Sequence, residues 1–390
     1  IVFLSGPRQV GKTTLAKDLL KTRKLGSYSN WDEKDFRKAW TLSPKSWVEK
    51  VIERPGKKIK PLVVIDELHK ARLWKRDLKG LYDHFKNDID FMVTGSARLD
   101  IFKKGGDSLL GRVFAFTLHP FSYSEALDIE PVKPEKFLQK IATYPKSKGD
   151  QLVLNNLLEF GGFPEPYLKR SKAFHKLWQN NRHEKIVRED LRDLSRLPEL
   201  SQIEMLMALL PDRTSNLLSV QSLREDLEVS HATVTRWLNY LQQLYYCFLI
   251  RPYSSGVARS LKKEPKMYLW DWSELTDPGA KFENFIASHL IKTCSFWRET
   301  GAGNFDVHFL RNKQKEEVDF LISENAKPYL AVEVKLSDTN LSPALIKFAN
   351  QLDLDIAVQI IKSPGYFKVH TLNQRKFIVL SADYFLSNCA

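Results

Sequence analysis

From residue 1 to about 130 the chain alternates short apolar runs with stretches of helical period. The runs are residues 1–4, 62–65 and 89–93, and Leu15, Leu19 and Leu20 follow the first at helical spacing. Runs this short, separated by helices, predict strands of a mainly parallel sheet covered by helices. Residues 131–150 carry several Pro, Lys and Gly residues and predict a hinge or long connection. A helical region follows to about residue 210, broken by Gly161-Gly162-Phe163-Pro164. Between residues 219 and 251 the period is that of two helices joined by a tight turn. Leu223 and Leu227 lie one turn apart, Val229-Ser230 makes the turn with Ser230 as N-cap, and Val234, Trp237, Leu238, Leu241 and Leu244 form one apolar face. After about residue 267 the pattern returns to mixed α/β. The expected protein is therefore α/β, with a parallel-sheet core over 1–130, a helical lid or linker over 131–210, a winged helix-turn-helix over 211–266 and an α/β domain over 267–390.

The loop after the first run reads Gly6-Pro7-Arg8-Gln9-Val10-Gly11-Lys12-Thr13, followed by Thr14, which is G-x-x-x-x-G-K-T between a strand and a helix. In that setting the glycines let backbone N–H groups wrap phosphates, and the helix N-terminus adds its positive dipole end. Lys12 then reaches the β and γ phosphates of ATP, and the Thr13 hydroxyl ligates Mg²⁺. The second run ends in Asp66-Glu67, which gives Mg²⁺ binding through water to Asp66 and polarisation of the attacking water to Glu67. The third run ends in Thr94-Gly95-Ser96, where either Thr94 or Ser96 can sense the γ-phosphate. Gly111-Arg112 offers either an arginine finger for a neighbouring subunit or an ordinary surface Arg.

Together these residues resemble the AAA+ superfamily, in particular the bacterial and archaeal ATPases whose phosphate loop reads Gly-Pro-Arg-Gln-x-Gly-Lys-Thr. The resemblance runs through residues 6–14, 64–68, 94–96, 109–112 and 161–164 and on into C-terminal pieces. It implies a P-loop ATPase that self-associates, as a ring or hexamer, with Arg112 completing a neighbour's site. Ala97 stands where a second small hydroxyl often follows Ser96, which leaves the sensor assignment open between Thr94 and Ser96.

Charge extends the reading to partners. Sixty Lys and Arg stand against 47 acids, a formal net charge of +13, which favours polyanions such as DNA or simply gives a basic surface. On the second helix of the pair, His231, Thr233, Thr235, Arg236 and Asn239 are left facing outward, able to contact a groove. Arg251, Arg259, Lys262, Lys263 and Lys266 surround Ser254-Ser255-Gly256 and suit a basic wing on phosphates, although such modules also dock proteins.

In the C-terminal region two strands, 318–322 and 330–335, flank a polar turn. Period-two alternation puts Glu333 and Lys335 on one face, and Glu283 shares a helical stripe with Ile286, Ala287 and Leu290. Glu283, Asp319, Glu333 and Lys335 resemble the core of PD-(D/E)xK nucleases. That resemblance implies a restriction-endonuclease-like fold with carboxylates on a divalent metal beside a water-orienting lysine, or a fold that has kept its shape without cleavage. Cys247, Cys294 and Cys389 are widely spaced and predict idle thiols in a reducing cytoplasm. No apolar stretch spans a bilayer and no signal peptide is visible, so the expected location is cytoplasmic with no membrane partner. The numbering opens inside the first predicted strand without an initiator Met, and further residues are expected before Ile1.

Overall fold

The computed structural model describes residues 1–51, 60–95, 109, 111–144, 149–191, 199–254 and 263–390. Ser96, Arg259 and Lys262 lie outside these described residues. The chain forms two compact units, 1–119 with 243–245, and 120–242 with 246–390.

In the first unit, β1 (Val2–Ser5), β2 (Gly26–Asn30), β3 (Leu62–Asp66), β4 (Asp90–Thr94) and β5 (Phe114–Thr117) form an all-parallel sheet in the order β2-β3-β4-β1-β5. The helices are α1 (Lys12–Arg23), α2 (Lys34–Leu42), α3 (Pro44–Val51) and α4 (Trp74–Phe85). Phe3, Val63, Ile65, Phe91 and Val93 pack with Phe36, Trp40, Trp74, Leu78 and Leu81, while Leu4, Val64 and Met92 pack with Ala16. Burial of both strand faces is why β1, β3 and β4 read as continuous apolar runs rather than as alternation. Within α1 the buried residues are Lys12 and Ala16, whereas Leu15 and Leu19 are exposed. The helix was legible from its leucines, but its inward face was not. β1 lies between β4 and β5, so the strand order reverses there, and the crevice outside its C-terminal end is where open α/β sheets take ligands.

The second unit holds β6 (Cys247–Pro252), β7 (Lys266–Leu269), β8 (Phe305–Arg311), β9 (Glu317–Glu324), β10 (Lys327–Lys335), β11 (Ile356–Ile361), β12 (Phe367–Leu372) and β13 (Arg375–Ser381). They form a mixed sheet in the order β12-β13-β11-β10-β9-β8-β6-β7. Helix Pro343–Gln351 brings Leu345, Phe348 and Ala349 onto Leu310, Leu321, Ala331 and Ala357. Helices Val220–Asp226 and His231–Gln243 start from Ser219, which accepts from Ser222 N at 3.3 Å, and Ser230, which accepts from Thr233 N at 3.1 Å. Their buried residues include Leu223, Val234, Trp237 and Leu241, and Leu227, just past the first helix, is buried too. The hairpin β6–β7 follows, and β6 pairs in parallel with β8 through Arg251 and His308. The expected boundary at 266/267 thus falls inside β7.

Residues 131–150, expected as a hinge, contain helix Pro134–Ile141, whose Phe137 is fully buried with its ring 5.0 Å from that of Trp297. Helix Gln151–Phe160 stops at Gly161, whose φ is +76° and where a Cβ would sit 2.7 Å from Asp271 Oδ1. Only glycine meets both demands without strain. Trp272 Nε1 donates to Leu157 O at 2.7 Å, so the break at Gly161 serves to seat the Asp271-Trp272-Ser273 turn.

Candidate functional sites

The phosphate loop leaves the C-terminal end of β1 and enters α1. Gly6 has φ +145°, and a Cβ there would lie 2.3 Å from Leu118 O, so the backbone passes too close for any side chain. Left-handed φ values at Gln9 (62°) and Gly11 (101°) curl the loop. Lys12 is buried, and its Nζ donates to Gly6 O at 3.0 Å and Pro7 O at 2.6 Å. The loop thereby holds a cation among its own carbonyls, ready for a polyphosphate.

Asp66, buried at the end of β3, joins the parts of this site. Its Oδ2 accepts from Thr13 Oγ1 at 2.8 Å and Tyr28 OH at 2.7 Å, and its Oδ1 accepts from the Thr94 hydroxyl. Side chains from α1, β2 and β4 thus converge on one carboxylate. Burial, then the hydrogen bond and charge of Asp66, push the Tyr28 phenol well above its ordinary pKa, so it stays a donor. The paired oxygens of Thr13 and Asp66 suit a hard divalent cation such as Mg²⁺.

Glu67 follows with φ +58°, a strained left-handed backbone for a residue with a side chain, and its N–H donates to Thr94 O at 2.9 Å. Its carboxylate lies 3.5 Å from His69 Nε2 and 3.6 Å from Lys70 Nζ. Burial raises its pKa, Lys70 works against the rise and Asp66 adds to it. Arg112 precedes β5, and its backbone O accepts from the Ile1 amino group at 3.1 Å. That places it at the N-terminal end of the sheet, about 13 Å of strand away from the phosphate loop. Its guanidinium donates to both oxygens of Asp83, at 2.8 and 3.3 Å. Sequence reasoning missed Tyr28, His69 and Asp83.

On helix His231–Gln243, His231, Thr235, Arg236 and Asn239 are exposed and Thr233 is half-buried. Arg236 pairs with Glu199 at 3.4 Å, and Lys263 is exposed. Lys266 departs from the expected basic wing. Its side chain is only 3% exposed, and its Nζ lies 2.6 Å from Glu317 Oε1, 3.1 Å from Glu283 Oε1 and 3.5 Å from Asp319 Oδ1. No phosphate can reach it.

Of the four nuclease-like residues, Glu283 and Asp319 border this lysine, while Glu333 and Lys335 pair with each other. Tyr268 OH donates to Glu283 Oε1 at 2.8 Å, Val334 N donates to Asp319 Oδ2 at 2.9 Å, and Lys335 Nζ lies 2.7 Å from Glu333 Oε1. Burial, then Asp319, push Glu283 up to about 8 and Glu333 up to about 7. Burial works against the charge on Lys266, but Glu283, Asp319 and Glu317 more than offset it and hold its pKa above the ordinary lysine value. Among the described residues no group of three or more His, Cys, Asp or Glu is arranged to hold a metal ion. The divalent ion that a nuclease-like core implies does not fit here: an ammonium fills the space between the carboxylates. Lys266, Tyr268 and Glu317 were legible in part, since Lys266 and Tyr268, and Glu317 and Asp319, are period-two neighbours.

Residues 1–127 match the family model described as an AAA domain. With the parallel sheet and phosphate loop, this defines the N-terminal third as a P-loop nucleotide-binding domain of AAA type. Residues 151–275 and 278–384 match two models each described as a domain of unknown function, DUF8612 and DUF4143. The chain is 23% identical over 380 residues to uncharacterized proteins of Mycobacterium bovis and Mycobacterium tuberculosis, covering 94% of this chain and 76% of each relative. It is 22% identical over 289 residues to an uncharacterized protein of Methanocaldococcus jannaschii, covering 68% of this chain and 60% of that protein. Among solved structures, the Aeropyrum pernix ORC1 protein in complex with DNA aligns at 16% identity and TM-score 0.30, over 73% of this chain and 86% of that one. AMPPCP-bound DnaA from Aquifex aeolicus aligns at 14% identity and TM-score 0.29, over 62% and 81%. Likenesses this low carry no functional argument. No helix of the described residues is long and apolar enough to cross a membrane.

Proposed function

We propose that this protein is a Mg²⁺-dependent ATPase that couples nucleotide turnover to engagement of DNA and works as a self-associated ring or hexamer. The observation that carries the reading is Asp66, which ties the phosphate-loop residue Thr13 to Thr94 through one buried carboxylate. Gly6, Pro7, Arg8, Gln9, Val10, Gly11 and Thr14 shape the phosphate cradle, and Lys12 supplies charge to the β and γ phosphates. Thr13 and Asp66 hold Mg²⁺, which when bound draws charge from the phosphate oxygens. Glu67, with its raised pKa, orients water and takes its proton. Thr94, bonded to Asp66, is the better-placed sensor, with Ser96 the competing candidate. Arg112 lies at the wrong end of the sheet for its own site, which supports a role in a neighbour's.

For DNA, the exposed face of His231, Thr235, Arg236 and Asn239, with Thr233, meets the groove, while Lys263, Arg259 and Lys262 contact phosphates. The order of helix Pro278–Glu299, β8, β9, β10, helix Pro343–Gln351 and β11 supports the nuclease-like reading of the fold, here holding DNA rather than cutting it. Three buried free thiols suit a reducing cytoplasm. One observation favours a second reading, a nucleotide-gated switch that docks a protein: Arg236 is already ion-paired and Lys266 is withdrawn inside.

The deciding measurement is the ATPase rate without DNA and with duplex, single-stranded and branched DNA. Stimulation supports the first reading, and an unchanged rate on all four supports the second. Glu67→Gln should bind ATP and not turn it over, while Lys12→Ala should lose binding. Near wild-type turnover by Glu67→Gln would overturn the role given to Glu67.

A further inference from the structure

The C-terminal charge cluster has a cation among three of its carboxylates. Lys266 reaches it from β7, Glu283 from helix Pro278–Glu299, and Glu317 and Asp319 from β9, so three elements converge on one Nζ. That Nζ donates to Glu283 at 3.1 Å and lies within 2.6 Å of Glu317 and 3.5 Å of Asp319. Two further cations stand beside carboxylates of the cluster: Arg311 pairs with Glu317, and Lys335 with Glu333. Glu283, Glu317, Asp319 and Glu333 therefore face three cations, Lys266, Lys335 and Arg311. One oxygen, Glu333 Oε2, is buried with no hydrogen-bond partner.

We infer that Lys266 is a resident cation that takes the place of a divalent metal in this cluster, closing it to metal-dependent cleavage, and that removing its charge opens a divalent-cation site formed by the three carboxylates around its Nζ, Glu283, Glu317 and Asp319. Carboxylate oxygens converging within reach of one point are what a hard cation requires, and an ammonium occupies that point. The lysine also locks β7 onto the helix and β9, because a buried carboxylate cannot lose its partner without leaving an uncompensated charge. Lys266 and its carboxylates all lie in the second unit, and their pairing needs no ATP turnover.

The test uses the full chain without nucleotide and follows thermal unfolding in Mn²⁺, with Asp319→Asn as the locating control. The wild type should show no Mn²⁺ shift that Asp319→Asn removes. Lys266→Gln, which keeps a hydrogen-bonding end while removing the charge, should gain one. With Mn²⁺ at 100 times its dissociation constant, the folded-to-unfolded ratio of Lys266→Gln should rise about 100-fold, and the Lys266→Gln/Asp319→Asn double variant should lose that rise. Lys266→Arg should stay insensitive to Mn²⁺. Folded Lys266→Gln unmoved by Mn²⁺ overturns the inference. Calorimetric titration of the wild type decides independently of any variant's folding: Mn²⁺ binding that Asp319→Asn abolishes overturns it, and the same titration with no such site supports it.

Discussion

Replacing Thr94 with Val isolates the contact that joins β4 to the nucleotide site. The two side chains have nearly the same shape, so no cavity forms, and the change removes one hydroxyl from a residue with no solvent exposure. That hydroxyl is the donor to Asp66 Oδ1, while Thr13 and Tyr28 both serve Oδ2. Thr94→Val therefore leaves a buried carboxylate oxygen without its donor, and hydrogen bonds to charged groups contribute about 1.5–3 kcal/mol. For a unit of this size each kcal/mol moves the melting temperature by about 3–6 °C, so the first unit should melt about 5–18 °C lower. Differential scanning calorimetry reads the shift, and steady-state ATPase assays read the accompanying loss of turnover. Thr94→Ser restores the hydroxyl without the methyl and should recover both. A Thr94→Val protein with unchanged melting and turnover would refute the role of Asp66 as the joining group. A loss that Ser fails to recover would show that the methyl packs and the hydroxyl does nothing.

Mixing inactive Glu67→Gln with inactive Arg112→Ala subunits should restore part of the ATPase activity, because each supplies what the other lacks, and a fully active monomer in sedimentation would rule this out. Neutralising Arg236, Arg259, Lys262 and Lys263 together should weaken DNA binding and flatten its dependence on log salt by about one unit for each phosphate left without its cation, measured by fluorescence anisotropy. His289 accepts from Tyr123 N at 3.0 Å and donates through Nδ1 to Phe285 O, and burial pushes its pKa from 6.5 to about 3. The folded state therefore binds fewer protons than the unfolded state below pH 6.5, and stability of the second unit should fall toward pH 3 by up to about 1.4 kcal/mol per pH unit from this group. His289→Gln should melt with a shallower pH slope between pH 4 and 6.5, and an identical slope would exclude His289 as the source.

β1, β3 and β4 were legible because a strand covered on both faces has to be apolar throughout, and the loop and acidic pair were legible because phosphate chemistry restricts which residues can follow such strands. β2 was not, since Gly26-Ser27-Tyr28-Ser29-Asn30 is a half-buried edge strand held by pairing with β3 rather than by its own apolarity. The partners of Asp66 and Arg112 were illegible for a related reason. Tyr28 and Asp83 are 38 and 29 positions from the groups they bond, and no period encodes such contacts. Lys266 was misread because it stands among other cations in sequence, whereas strand alternation sends Lys266 and Tyr268 inward together.

The pairing of β6 with β8 has a consequence for modularity. A fragment carrying the two helices and the β6–β7 hairpin, cut after residue 269, would carry off two strands of an eight-stranded sheet and leave the edge of β8 bare. Bare edges invite association with other chains. The same cut would strand Glu283 and Asp319 without their lysine. The helix His231–Gln243 and the C-terminal sheet are thus tied by strand pairing, and a cut at the end of β7 should destabilise both parts.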